Sequence, residues 1–136
     1  MKKVKKILLV DDDEVSCFVH QSILENMHVA EQVLSIHDGI QALNYITDHY
    51  KNSSRHEQGQ DLLFLDLNMP AMDGFEFLVE LKKLQGIDRS RFAIYMLATH
   101  IGSQDGENVN MHRDIVQKYI LKPLDEETIK AIIREQ

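Results

Sequence analysis

Four times in this chain a short apolar run stops on a residue with chemically useful oxygen or nitrogen, and a turn begins at once. Leu62-Leu63-Phe64-Leu65 stops on Asp66, with Asn68-Met69-Pro70 and Asp73-Gly74 just beyond. Ile7-Leu8-Leu9-Val10 stops on Asp11, Asp12 and Asp13, Phe92 to Ala98 stops on Thr99, and Tyr119-Ile120-Leu121 stops on Lys122 and Pro123. An apolar run of this length, bounded by turn signals, reads as a buried strand. In an open parallel sheet the carboxyl ends of the strands share one rim, and that rim carries the chemistry. Parallel strands here would bring several carboxylates, a hydroxyl and an ammonium together. Crowded carboxylates disfavour one another's ionisation, and a hard divalent cation with oxygen ligands relieves the repulsion.

Between the strands lie helical patterns, an alternation that implies a doubly wound α/β fold with helices on both faces of the sheet. Strands are expected at Lys6–Val10, Gln32–Ile36, Leu62–Leu65, Phe92–Ala98 and Tyr119–Leu121. Gln32–Ile36 is the most polar and belongs at an edge. The first helix spans about Glu14 to Asn26 behind an Asp13 cap, with Val15, Phe18, Val19, Ser22 and Ile23 as its inward face. The second begins near Asp38 and carries Ile40, Leu43 and Ile46. Asp48 to Gln60 is polar and aperiodic, a helix end plus a long loop. The third helix comes after Asp73-Gly74, with Phe75, Leu78, Leu81 and Leu84 inward. Ile101 to Gln117 has only a weak helical pattern, and a last helix after Pro123 has an Asp125 cap and an Ile129, Ile132, Ile133 stripe.

At 136 residues the chain is expected to be one domain, spanning 1–136 with no output domain. A net charge of -7 speaks against a general grip on nucleic acid or an anionic membrane. The lone Cys17 cannot form an internal disulfide. The basic start, Met1 to Lys6, precedes an apolar run too short for a signal peptide, and no run is long enough to span a bilayer. The expectation is a cytoplasmic protein.

Asp11-Asp12, the run Asp66-Leu67-Asn68-Met69-Pro70-Ala71-Met72-Asp73-Gly74, Thr99 and Lys122-Pro123 together resemble a response-regulator receiver domain, in order and over essentially the whole chain. The resemblance implies a five-stranded parallel sheet of flavodoxin-like order 2-1-3-4-5. It implies that Asp66 takes a phosphoryl group from a histidine kinase or histidine phosphotransfer protein, its carboxylate acting as nucleophile. It implies Mg²⁺ (or Mn²⁺) held by Asp12, Asp66 and the backbone carbonyl of Asn68, with Asp11 acting through a metal-bound water. Lys122 would neutralise phosphoryl charge, Thr99 would donate its hydroxyl to the attached group, and Tyr119 would swing inward. The family's usual partner face, at the fourth helix, fifth strand and fifth helix, would meet an unidentified downstream protein. The long Asp48–Gln60 loop resembles that of stand-alone receivers paired with phytochrome-like kinases.

Other readings of the same residues stand beside this one. Ala98 competes with Thr99 for the hydroxyl's place, since a shift of one residue turns a strand side chain to the other face. Asp11 to Asp13 alone could be an acidic first turn favoured by the helix dipole, and Tyr119 an ordinary strand aromatic. His20, His28, His37, His49, His56, His100 and His112 lack metal-ligand spacing and read as surface residues. The chain is not expected to be an enzyme in the turnover sense. A haloacid-dehalogenase-type phosphotransferase would want an acid where Asn68 stands, and a phosphorylation-independent binding module would leave the acidic rim vestigial.

Overall fold

A computed structural model describes residues 3–53 and 59–136. His56 and the central part of the Asp48–Gln60 segment lie outside the described residues, as do Met1 and Lys2. The elements run β1 (Val4–Val10), α1 (Glu14–Met27), β2 (Ala30–Ile36), α2 (Gly39–Tyr50), β3 (Asp61–Asp66), α3 (Gly74–Lys83), β4 (Phe92–Ala98), α4 (Gly106–Met111), β5 (Val116–Leu121) and α5 (Glu126–Arg134). All strand pairs are parallel and the order is β2-β1-β3-β4-β5.

Every residue of β3 and β4 is buried, which is why β4 and the Leu62 to Leu65 stretch of β3 are apolar without alternation. Alternate residues feed two cores. Leu8, Val10, Leu63, Leu65, Ile94 and Met96 face α2 and α3 residues such as Ile46, Phe77 and Leu78. Ile7, Leu9, Leu62, Phe64, Tyr95 and Leu97 face Leu24 of α1 and Ile129, Ile132 and Ile133 of α5. Aspartates cap α1, α2, α3 and α5 through Asp13, Asp38, Asp73 and Asp125. Each such cap contributes about 1 kcal/mol and starts its helix close to the carboxyl end of a strand. No helix among the described residues is long and apolar enough to cross a membrane.

Several expectations need correction. The inward face of α1 is Cys17, His20 and Leu24, with Ile23 packed beside them. Val15 and Phe18 are instead 72% and 74% exposed, and Val19 is exposed too. Ile40 of α2 is also exposed, its inward face being Ala42, Ile46 and Tyr50. Two histidines are interior: His20, whose Nε2 accepts the Leu124 N–H at 3.1 Å, and His112, which stacks on Phe75. The weak Ile101–Gln117 pattern resolves into the six-residue α4, no residue of which is buried.

Candidate functional site

Register brings the site together. Val10 pairs with Leu65, Asp66 with Leu97 and Ala98 with Leu121, so Asp11, Asp66, Thr99 and Lys122 all lie where adjacent strands end. Carboxylate oxygens of Asp11, Asp12 and Asp66 lie within 4.8 Å of one another. Asp11 and Asp66 are buried, while Asp12 is exposed at the mouth. Lys122 crosses over from β5, with Nζ 2.7 Å from Asp11 Oδ2 and 3.5 Å from Asp66 Oδ1. The turn after β3 is tight: Gly74 N–H donates to Leu67 O at 3.0 Å, and a Cβ on Gly74 would come within 2.9 Å of the Leu67 Cα. Glycine is needed there because α3 starts directly against the end of its preceding strand.

Asp66 is pushed up to about 6, first by burial and next by the Asp11 charge. Asp11 is also penalised by burial, but its bonds from Lys122 and from the Asp13 N–H at 2.9 Å outweigh that and leave it below the usual carboxylate range. Burial likewise works against the Lys122 ammonium, and its two carboxylate neighbours reverse the effect and raise its pKa. One carboxylate is therefore committed to the lysine and the other is charged reluctantly. Three carboxylates against one ammonium is an arrangement that a divalent cation would complete, and this donor set suits a hard metal ion.

Asn68 is exposed, and its backbone N–H donates to Asp66 Oδ1 at 3.2 Å. Its side-chain Oδ1 accepts the Thr99 N–H at 2.8 Å. Thr99 itself lies past the end of β4 and is exposed, whereas Ala98 is fully buried in the cluster against which Tyr119 packs. Tyr119 is half-buried, tilted against Phe75 at 6.4 Å between ring centroids, with its hydroxyl buried and without a hydrogen-bond partner among the described residues. Reading the sequence missed His20, which ties α1 to the loop carrying Lys122 through Leu124. Burial, followed by the Lys122 charge, holds its pKa down, so it accepts that bond as a neutral ring. Nothing local in the sequence marks this contact, because its partners lie 104 positions apart.

Residues 7–134 match the family model of the response regulator receiver domain. The chain is 32% identical over 103 residues to the response regulator Rcp1 of Synechocystis, covering 74% of this chain and 66% of Rcp1. It is 33% identical over 102 residues to the histidine kinase CKI1 of Arabidopsis thaliana, covering 71% of this chain but only 9% of that protein. Among solved structures, a two-component response regulator from Cytophaga hutchinsonii shares the fold with a TM-score of 0.80 at 22% identity, over 98% of this chain and 97% of that one. The receiver domain of CKI1, solved with Mg²⁺ and BeF3-, superposes with a TM-score of 0.71 at 25% identity, over 97% of this chain and 91% of that one.

Proposed function

The chain belongs to the response regulator receiver domain family, whose members are signalling phosphoacceptors, and we propose that Asp66 is the acceptor in a Mg²⁺-dependent transfer from a histidine kinase or histidine phosphotransfer protein. The observation that carries this reading is the convergence of the Asp11, Asp12 and Asp66 oxygens within 4.8 Å, with Lys122 beside them.

A carboxylate oxygen of Asp66 attacks phosphorus, the bond from phosphorus to the donor imidazole nitrogen breaks, and its electron pair returns to the ring. Asp11, Asp12, Asp66 and the Asn68 carbonyl would hold the ion, with Asp11 a water-mediated ligand. When bound, the ion would offset charge on the phosphoryl oxygens. Lys122 already stands 3.5 Å from Asp66 and supplies a second positive charge there. The buried carboxylate is rigidly placed at the end of β3, which favours reaction in a fixed geometry. That the CKI1 receiver was solved with Mg²⁺ and BeF3- supports the same pair of ligands here.

The phosphodonor is expected to rest on Val15, Phe18 and Val19, an exposed apolar strip on the helix that begins beside Asp12 and Asp13. A protein that transfers a group to Asp66 has to approach the rim, and this strip borders it beside Asp12 and Asp13. Tyr119 of β5, packed against the cluster that buries Ala98, is the residue proposed to report the transfer to a downstream protein. Incubation with acetyl phosphate and Mg²⁺ should add one phosphoryl mass to the wild type and none to Asp66→Asn. Labelling that persists in the variant would exclude Asp66.

A further inference from the structure

The end of β4 is held to the rest of the rim in an uneven way. The Leu97 carbonyl accepts the Leu67 N–H at 2.7 Å, and the Ala98 carbonyl accepts the Lys122 N–H at 2.9 Å. Both bonds are between backbones and continue the sheet. The next group, the Thr99 N–H, is held by a side chain, the Asn68 Oδ1 at 2.8 Å. Asn68 is bonded in turn to the acceptor carboxylate, its own N–H reaching Asp66 Oδ1 at 3.2 Å. One exposed residue therefore bridges Asp66 and the start of the segment leading to α4.

We propose that Asn68 is a latch, whose side-chain oxygen holds the Thr99 amide until a phosphoryl group on Asp66 takes that amide instead. The inference rests on the reading of Asp66 as acceptor. A phosphoryl group extends from Asp66 toward the donors around it, and Asn68 places the Thr99 N–H among them. The two acceptors are unequal, since a bond to an anion is roughly twice as strong as one to a neutral amide oxygen. Releasing Asn68 costs little, because the residue is exposed and water can replace the lost bond. Of the donors tied to this corner of the rim, the Asn68 N–H and the Lys122 ammonium already bond carboxylates, whereas the Thr99 N–H is held by a neutral side-chain oxygen. The segment beyond Thr99 is easy to move: α4 is six residues long and none is buried, the character of a locally low-stability element. Asn68 thus acts as a positioning residue, setting how strongly the free protein resists the change.

The latch can be read directly, as scalar coupling across the hydrogen bond between the Thr99 amide nitrogen and the Asn68 side-chain carbonyl carbon. The coupling is expected in the free protein and should vanish with Mg²⁺ and beryllofluoride, a phosphoryl mimic. Asn68→Leu, close in shape but without an acceptor, should shift the Thr99 proton upfield and speed its exchange in the free protein, while Asn68→Asp, which keeps an oxygen there, should not. With the competitor gone, Asn68→Leu should bind beryllofluoride about two- to tenfold more tightly, the range for losing one neutral hydrogen bond. No coupling in the free protein, an unchanged Thr99 amide in Asn68→Leu, or a coupling that survives beryllofluoride binding would each overturn the latch. Failure of beryllofluoride to bind the wild type would instead overturn the acceptor reading, while the free-protein arms still decide whether Asn68 holds Thr99.

Discussion

Lys122 donates from Nζ to Asp11 Oδ2 at 2.7 Å, across 111 positions of sequence, and stands farther from Asp66. The lysine thus occupies a carboxylate that a divalent cation would also draw on. Lys122→Met should therefore bind Mg²⁺ several-fold more tightly, because two uncompensated carboxylates attract it. The same variant should accept phosphate from acetyl phosphate more slowly, on the order of a hundredfold, having lost a charge aimed at the phosphoryl oxygens. Calorimetry and mass spectrometry would measure the two effects separately, and a loss of both affinity and rate would contradict these roles.

Asp66 gives a pH dependence of known sign. Its folded value, about 6, lies above that of an unfolded aspartate, about 4. The folded state binds the proton more tightly, so this group's contribution is fully present below about pH 4 and is lost as pH rises through about 6. Asp66→Asn, which has no charge to bury, should melt above the wild type at neutral pH without metal. The gap should narrow near pH 5 and on adding excess Mg²⁺. Thermal unfolding over that range, with and without the ion, checks it.

The exposed strip on α1 predicts a separation of two activities. Phe18→Asp should reduce transfer from a cognate histidine kinase tenfold or more, the scale of a lost aromatic anchor at an interface, about 1.4 kcal/mol or above. Labelling by acetyl phosphate, which needs no docking, should not change. Equal kinase rates for wild type and variant would move the docking surface elsewhere.

At the far end of the sheet, Arg91 is buried against Asp61, with guanidinium nitrogen and carboxylate oxygen 3.3 Å apart. Tyr50 Oη donates to the same Asp61 oxygen at 2.6 Å, and Arg91 also bonds the Ser53 hydroxyl and the Gly59 carbonyl. Removing one partner of a buried pair costs about 3–5 kcal/mol. Arg91→Ala should accordingly melt on the order of 10 °C lower, yet still be labelled at Asp66 below its transition. A melting point within a degree or two of wild type would show the pair to be energetically idle.

Much of the fold is legible in the chain because it is written in short-range terms. Leu62 to Leu65 of β3 and the whole of β4 are unbroken apolar runs, since a central parallel strand is buried on both faces. The aspartate caps fall one residue before their helices, and α5 has a single apolar stripe, Ile129, Ile132 and Ile133, that leaves one way to pack. The acidic rim was legible for the same reason: each of its residues ends an apolar run.

α1 was not legible in this sense. Val15, Phe18 and Val19 make as good a helical stripe as Cys17, His20 and Leu24, and periodicity cannot say which of two stripes meets the sheet. Tertiary packing chose the second, and with it buried His20 against the Leu124 amide and left an apolar face beside the acceptor. The sequence by itself determined which residues end the strands. Which of them touch was decided only when distant strands came into register, because Lys122 and Asp11, or Asn68 and Thr99, meet through the sheet and not along the chain.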